Sequence, residues 1–173
     1  MEKVKKVWNT ITTVLMAVVA VLALLVWGCR LIGMEVFVVQ SGSMEPDYHV
    51  GSLVYVKPVD AEDLDVGDVI TFNLSGSTLG THRIIEVVYE DGAPAFRTKG
   101  DANDHEDNGL VTPSEIIGEV KFSIPYMGYL VVYIQEPPGT YVAIAVAAVL
   151  LLMVLLPDLI FDDKKEDEEE ATK

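Results

Sequence analysis

The chain has 173 residues, a net charge of −15 and a hydrophobic content of 50%. This length predicts one modest domain. The negative charge argues against nucleic acid as a partner, because nucleic-acid binding depends on a positive surface. The acidity is not confined to the C-terminal tail, since residues 33–139 hold 18 Asp and Glu against 5 Lys and Arg, a net charge of −13.

Two long apolar stretches, residues 7–29 and 137–157, contain no charged residue. As helices, each would be roughly 30 Å long, which is enough to cross the hydrocarbon core of a bilayer. Burial of both as core helices is the alternative, but a domain of this size would have little polar surface left to cover them. The first run also exceeds the roughly 7–15 apolar residues of a cleavable signal peptide. We therefore expect a transmembrane helix at each end.

The lysines near these two stretches predict the orientation of the chain. Lysine and arginine flanking a span favour the cytoplasmic side, and lysines occur before the first span and after the second, as Lys3, Lys5, Lys6, Lys164 and Lys165. Arg30 lies on the other side of the first span, but it is alone and can extend to the interface. The prediction is a multi-pass protein of the cell membrane, or of the endoplasmic reticulum membrane if the source is eukaryotic. Its cytoplasmic segments would be residues 1–6 and the acidic tail 158–173, with residues 30–136 outside the cytoplasm.

The middle segment is rich in short β-type runs. They combine β-branched residues with turn residues at their ends, and they cover residues 35–39, 51–56, 68–72, 83–89, 95–98 and 116–122. Asp91-Gly92 predicts a hairpin turn between the fourth and fifth runs. No amphipathic helix is expected between the spans, and the apolar segment 124–129 is expected at the membrane interface. The predicted fold class is mainly β, a small antiparallel β domain anchored by one transmembrane helix at each end.

The segment 40–46, Gln-Ser-Gly-Ser-Met-Glu-Pro, follows the first predicted strand. Glycine permits a sharp turn, and Ser43 on such a corner can direct its hydroxyl and its own N–H toward one point. That combination suits nucleophilic attack and oxyanion binding. A serine-rich turn is more often only a turn, so this segment by itself leaves the question open.

A catalytic serine needs a base, and the chain has three histidines. His82 lies at the start of the strongest predicted strand, where a side chain is held rigidly. His49 and His105 lie in polar and acidic surroundings that are typical of surface residues. His82 is therefore the candidate base.

An Asp- and Asn-rich loop at residues 98–109 supplies carboxylates. A calcium-binding EF-hand counted from Asp101 would need Gly and Glu where Glu106 and Thr112 stand, so that pattern fails. One of the loop carboxylates can instead orient His82, as the acid of a catalytic triad does. Cys29 is the only cysteine, which excludes an internal disulfide and a cysteine-based metal site. The sequence predicts neither a metal nor a cofactor.

These three segments, in this order, resemble the signal peptidase I family over residues 36–133. In that family the serine before Met in the Ser-Gly-Ser-Met-Glu-Pro segment is the nucleophile, which corresponds to Ser43. The bacterial and organellar branch has a lysine as base, whereas this chain has Thr-His-Arg-Ile at that place. It is therefore similar to the histidine-using branch of archaea, some Gram-positive bacteria and the endoplasmic reticulum, with His82 as base.

The resemblance also implies the remaining site residues and the partners. Asp107 corresponds to the triad acid, Asp101 is an alternative or supporting acid, and Ser41 is a helper at the oxyanion site. Ala102 replaces the asparagine of the family's Lys-Gly-Asp-Asn-Asn box. The implied activity is a serine endopeptidase that removes signal peptides from preproteins through an acyl-enzyme, with the secretion translocon and the lipid bilayer as partners.

Two alternatives remain at this point. One is a membrane-tethered β domain that binds a partner without catalysis, in which Ser43 and His82 need not touch. The other is a serine–lysine protease, for which Lys57 and Lys99 are the available lysines, although neither matches the bacterial base position.

Overall fold

The computed structural model describes residues 2–75, 78–90 and 92–170. Within these residues, six strands form one antiparallel sheet in the order β1-β2-β6-β3-β4-β5. The strands are β1 (Glu35–Val38), β2 (Leu53–Lys57), β3 (Val69–Ser75), β4 (Thr78–Glu90), β5 (Ala93–Lys99) and β6 (Ile116–Ile124). Each of the six predicted runs is a strand, so the predicted antiparallel β domain is confirmed.

Strands β3 and β4 are longer than their sequence runs indicated. They pair from Val69 with Arg83 up to Ser75 with Thr78, and this hairpin extends beyond the apolar residues that marked it. The predicted hairpin between β4 and β5 is present, and its Gly92 has a φ of +85°, a conformation that glycine adopts without strain. Asp91, the other predicted turn residue, lies outside the described residues.

The sheet buries apolar side chains on both of its faces. Alternate residues of a strand point to opposite faces, so Val69 and Ile70 of β3 belong to different clusters. One cluster consists of Leu64, Ile70, Phe72, Ile84, Phe96 and Val111. The other consists of Met44, Val54, Val56, Val69 and Val120. Met44 of the second cluster is next to Ser43 in the chain, and Phe72 of the first cluster contacts the His82 ring.

The chain divides into two compact units, one of which is Val26–Val132 and contains the sheet. The other combines residues 1–25 with residues 133–173. It contains α1 (Glu2–Ala23) and most of the pair α3 (Met127–Gln135) and α4 (Gly139–Glu170). Within this unit the Trp8 indole donates a hydrogen bond to the Met153 carbonyl at 2.8 Å.

The first apolar stretch forms a helix that is long and apolar enough to span a membrane, over Lys3–Val26. It ends in a π-helical turn, Leu24–Gly28, and a short helix α2 (Cys29–Leu31). For the second stretch, Met127–Gln135 and Gly139–Leu155 meet the same test only as a pair interrupted by a break. Two prolines, Pro137 and Pro138, lie at this break, and proline lacks the N–H that a continuous helix requires.

Two features of this region go beyond what the sequence predicted. Helix α3 was not predicted, since its residues are apolar without the polar face that marks an amphipathic helix. The acidic residues 162–170 belong to α4, which continues to Glu170. Residues 171–173 lie outside the described residues.

Candidate active site

Ser43 lies in a 3-10 turn, Gly42–Met44, four residues after β1 ends. The next residue, Met44, is only 2% exposed and packs in the cluster with Val54, Val56, Val69 and Val120. Burial of this side chain anchors the turn, while the Ser43 side chain stays partly exposed. The turn is also attached to the loop after β5, because the Ala102 N–H donates to the Ser43 carbonyl at 2.9 Å.

Gly100 allows that loop to come so close to the turn. A Cβ at this position would lie 2.6 Å from the Ser43 carbonyl oxygen, a distance that real Cβ atoms do not reach. Any larger residue at position 100 would therefore push the loop away from the serine.

His82 is on β4, opposite Ile70 of β3, and is 9% exposed. Its Nε2 is 3.3 Å from the Ser43 Oγ, and its Nδ1 is 2.5 Å from the Asp107 Oδ2. An ionised carboxylate can only accept hydrogen bonds, so Nδ1 carries the proton and Nε2 of the neutral ring accepts from the Ser43 hydroxyl. The distance to Ser43 is long for such a bond, as is common in catalytic sites before substrate binds.

Asp107 is held in place by two further hydrogen bonds with Thr98. The Thr98 hydroxyl donates to the Asp107 Oδ2 at 2.7 Å, and the Asp107 N–H donates to the Thr98 carbonyl at 2.9 Å. Thr98 itself is fully buried in β5. Sequence reasoning did not identify Thr98 as a site residue. Its position directly before the Lys-Gly-Asp segment was the available signal.

Asp101 has a different partner. Both of its carboxylate oxygens accept from Arg83, at 2.8 Å from Nε and 2.6 Å from a terminal nitrogen. Arg83 also donates to Asp47 at 2.8 Å and to the Gly67 carbonyl at 2.9 Å. The hydrogen bond with Asp101 is the main reason that the pKa of Arg83 is raised above its ordinary value. In this arrangement Asp107, and not Asp101, contacts His82.

The other predicted site residue, Ser41, is exposed, and its Oγ is 3.3 Å from the Ser43 Oγ. Among the described residues, the hydrogen-bond partners of the Ser43 side chain are thus Ser41 and His82, and no lysine is among them. His49 is paired elsewhere, with Glu45 at 2.5 Å, and stacks on the Tyr126 ring.

A cleft of about 460 Å³, with both apolar and polar residues in its wall, opens beside Ser43. It is lined mainly by β1, the serine turn and the β3–β4 hairpin, including Phe37, Val39, Met44, Tyr48, Val54 and Leu79. Burial raises the pKa of the Tyr48 hydroxyl, which is consistent with a cleft wall that excludes water. A cleft that reaches a serine hydroxyl and has apolar residues in its wall can accept small side chains next to that hydroxyl.

A serine, a histidine and an aspartate connected in this order have the geometry of a nucleophile, a base and an acid that orients the base. Comparison with known proteins points to a family of peptidases. Residues 8–88 match the family described as signal peptidase, peptidase S26. The chain is 36% identical over 120 residues to signal peptidase I W of Bacillus subtilis, covering 65% of this chain and 63% of that protein.

Two eukaryotic relatives are covered more fully. The human signal peptidase complex catalytic subunit SEC11C is 30% identical over 138 residues, covering 72% of each protein. The catalytic subunit sec11 of Dictyostelium discoideum is 34% identical over 129 residues, covering 67% of this chain and 72% of that protein. The chain therefore belongs to the signal peptidase family, whose activity is the removal of signal peptides, and the resemblance noted in the sequence is confirmed.

Proposed function

We propose that the chain is a membrane-bound serine endopeptidase that removes N-terminal signal peptides from preproteins. Ser43 is the nucleophile, His82 the general base and Asp107 the triad acid. The observation that carries this proposal is the continuous contact from the Ser43 hydroxyl through the His82 ring to the Asp107 carboxylate, at 3.3 Å and 2.5 Å. A non-catalytic binding domain would not require these three side chains to meet.

The chemistry follows from the tautomer of His82. Its Nε2 takes the proton as the Ser43 Oγ attacks the scissile carbonyl, and Asp107 stabilises the resulting imidazolium. The oxyanion is stabilised by the Ser43 backbone N–H and by the Ser41 hydroxyl, which lies beside the nucleophile. His82 then gives its proton to the leaving amine, and an acyl-enzyme remains. Water, deprotonated by His82, hydrolyses this ester and restores the serine.

Substrate binds as an extended segment along β1. Within the described residues this strand is an edge of the sheet, since it pairs with β2 alone, and its outer edge offers backbone groups to an added strand. The cleft beside it accepts the small side chains that precede the cleavage site. Asp101 acts through Arg83 of β4. Arg83 binds Asp47, which follows the serine turn, and Asp101 in the loop after β5, and so holds both segments near β4.

The membrane arrangement is part of the proposal. Residues 7–29 form one span and residues 137–157 a second, with both termini in the cytoplasm and residues 30–136 outside it. The helix over Lys3–Val26 and the flanking lysines support this topology. In this proposal the chain works beside the secretion translocon. The relatives named as catalytic subunits of a signal peptidase complex support a place in such a complex.

The direct test is cleavage of a purified preprotein by the full chain in detergent or in vesicles. The wild type is expected to release the signal peptide at a single site, and Ser43→Ala is expected to release none while it remains folded and inserted. Ser41→Ala should lose about a hundred- to a thousandfold, the usual cost of one oxyanion donor. Substantial cleavage by Ser43→Ala would refute the nucleophile assignment.

A further inference from the structure

The loop 45–52 joins the serine turn to β2 and carries a second histidine–carboxylate pair outside the triad. The His49 Nδ1 is 2.5 Å from the Glu45 Oε2, and the Val50 N–H donates to the other oxygen of the same carboxylate at 3.4 Å. Because an ionised carboxylate can only accept hydrogen bonds, Nδ1 carries the proton in this pair. Glu45 directly follows Met44, so the pair closes the loop back on the end of the serine turn.

The His49 ring has a second contact, with the segment that precedes α3. It stacks on the Tyr126 ring, with 6.1 Å between the ring centroids and 10° between the ring planes. Tyr126 has a φ of +61°, in the left-handed region that a non-glycine residue adopts rarely and only where its surroundings hold it there. His49 thus lies between a carboxylate of its own loop and a tyrosine whose backbone is itself constrained.

Backbone contacts attach the end of the same loop to α3 and to the residue after β1. The Gly128 N–H donates to the Gly51 carbonyl at 2.8 Å, and the Gly51 N–H donates to the Val39 carbonyl at 2.9 Å. A Cβ on Gly51 would overlap the Tyr129 ring, so this close approach requires glycine. Residues 49–52 are therefore fixed between the first residues of α3 and the end of β1.

Tyr48, the residue before His49, belongs to the wall of the cleft beside Ser43. It packs on the cluster that contains Met44, and its N–H donates to the Met44 carbonyl at 2.9 Å. Tyr48 lies between Glu45 and His49 in the chain, so the contact between those two side chains closes the bend that carries it. Loss of that contact lets the bend open and the cleft widen.

In the proposed function, on which this inference rests, the cleft accepts the small side chains that precede the cleavage site. We propose that His49 is a positioning residue that fixes the width of this cleft, because it holds the bend that carries Tyr48. Within the described part of the chain, the contacts of the His49 ring are with Glu45 and Tyr126 and not with the triad. A cleft of fixed width rejects a bulky side chain by steric clash, whereas a cleft that can widen accepts it.

The expected size of the effect follows from the exposure of the pair. The His49 and Glu45 side chains are 44% and 39% exposed, and the loss of such an exposed pair changes an equilibrium by about two- to fivefold. Tyr48 stays packed on the Met44 cluster, so the variant should remain folded with nearly the same melting temperature. His49→Ala should therefore weaken the selection against bulky side chains while the rate on the best preprotein is almost unchanged.

Kinetics with paired preproteins tests this selection. The full chain in detergent cleaves two preproteins that carry Ala or Leu at the third residue before the cut, and a second pair with the same change at the first residue. The ratio of kcat/KM for Ala over Leu should fall about two- to fivefold in His49→Ala, for the pair whose altered residue faces Tyr48. The matched control is His105→Ala, which removes another exposed histidine outside the loop and should leave both ratios unchanged. Unchanged ratios in His49→Ala, or an equal fall in His105→Ala, would overturn the proposal.

Two conservative variants separate the two contacts of His49. His49→Asn keeps a donor close to the position of Nδ1, and His49→Phe keeps a ring that can stack on Tyr126. Each should recover part of the ratio that His49→Ala loses, and recovery by neither would refute a role for these contacts.

A double variant shows whether His49 acts through Tyr48. Tyr48→Leu shortens the wall residue and should lower the ratio by itself. Adding His49→Ala should then change the ratio little further, because the effects of coupled residues are not additive. A full second loss in the double variant would show that His49 does not act through Tyr48.

Failure of the proposed function has a separate signature, because Ser43→Ala would then cleave as well as the wild type. The selection can still be measured without cleavage, as the binding of the same preproteins, fluorescently labelled, to Ser43→Ala with and without His49→Ala. An affinity ratio for Ala over Leu that His49→Ala lowers supports the proposal, and an unchanged affinity ratio refutes it.

Discussion

Replacing Thr98 with valine tests whether the orientation of Asp107 controls the rate. Valine has nearly the same shape as threonine but lacks the hydroxyl that donates to the Asp107 Oδ2 at 2.7 Å. The same oxygen accepts from His82, so the hydroxyl helps to keep the carboxylate in line with the ring. Thr98 is fully buried and is not among the residues that line the cleft beside Ser43, so direct contact with substrate is not expected.

The size of the effect follows from the contacts that are lost and kept. A hydrogen bond to a charged group contributes about 1.5–3 kcal/mol. The bond from the Asp107 N–H to the Thr98 carbonyl does not involve the side chain and remains in the variant. We therefore expect the lower end of that range, which corresponds to about a tenfold loss of kcat/KM. The loss should appear in kcat, with KM little changed.

The assay is steady-state cleavage of a preprotein by the full chain in detergent, together with thermal unfolding of each variant. Thr98→Ser is the matched control, because it keeps the hydroxyl and loses only a methyl group. The expected order of kcat is wild type, then Thr98→Ser, then Thr98→Val. Wild-type kcat in Thr98→Val, or an equal loss in both variants, would show that the hydroxyl does not orient Asp107.

Three other predictions concern the triad and the topology. Ser43→Ala and His82→Ala should each abolish cleavage. The double variant should be little worse than either single variant, since the effects of residues in one catalytic unit are not additive. Losses of rate that multiply in the double variant would contradict a shared step. Asp107→Asn should lose turnover with an almost unchanged melting temperature. Asp101→Asn should lower the melting temperature, because it weakens the ion pair with Arg83. The opposite pattern would exchange the roles of the two aspartates. In sealed right-side-out vesicles, external protease should cut between the spans and spare a tag on either terminus, and loss of either tag would overturn the proposed orientation.

The sequence by itself determined the antiparallel β domain. Its strands are short runs of β-branched residues bounded by Gly, Asp and Asn, and this local pattern indicates strands without knowledge of the tertiary contacts. The charge-free run at residues 7–29 was equally clear, since length and apolarity alone qualify a helix to span a membrane. Ser43 and His82 were candidates from the sequence, because the resemblance to the signal peptidase I family rests on the contiguous Ser-Gly-Ser-Met and Thr-His-Arg segments.

Only the tertiary structure shows which of Asp101 and Asp107 contacts His82. Both lie in the same acidic loop, and spacing along the chain does not show which carboxylate reaches β4. His82 and Arg83 are neighbours on β4, and the fold brings Asp107 to the first and Asp101 to the second. Thr98 escaped notice for the same reason, since its role depends on a contact nine residues away across a folded loop. Helix α3 was missed because an apolar stretch without periodicity has the same local pattern in a helix, a strand or an interfacial loop.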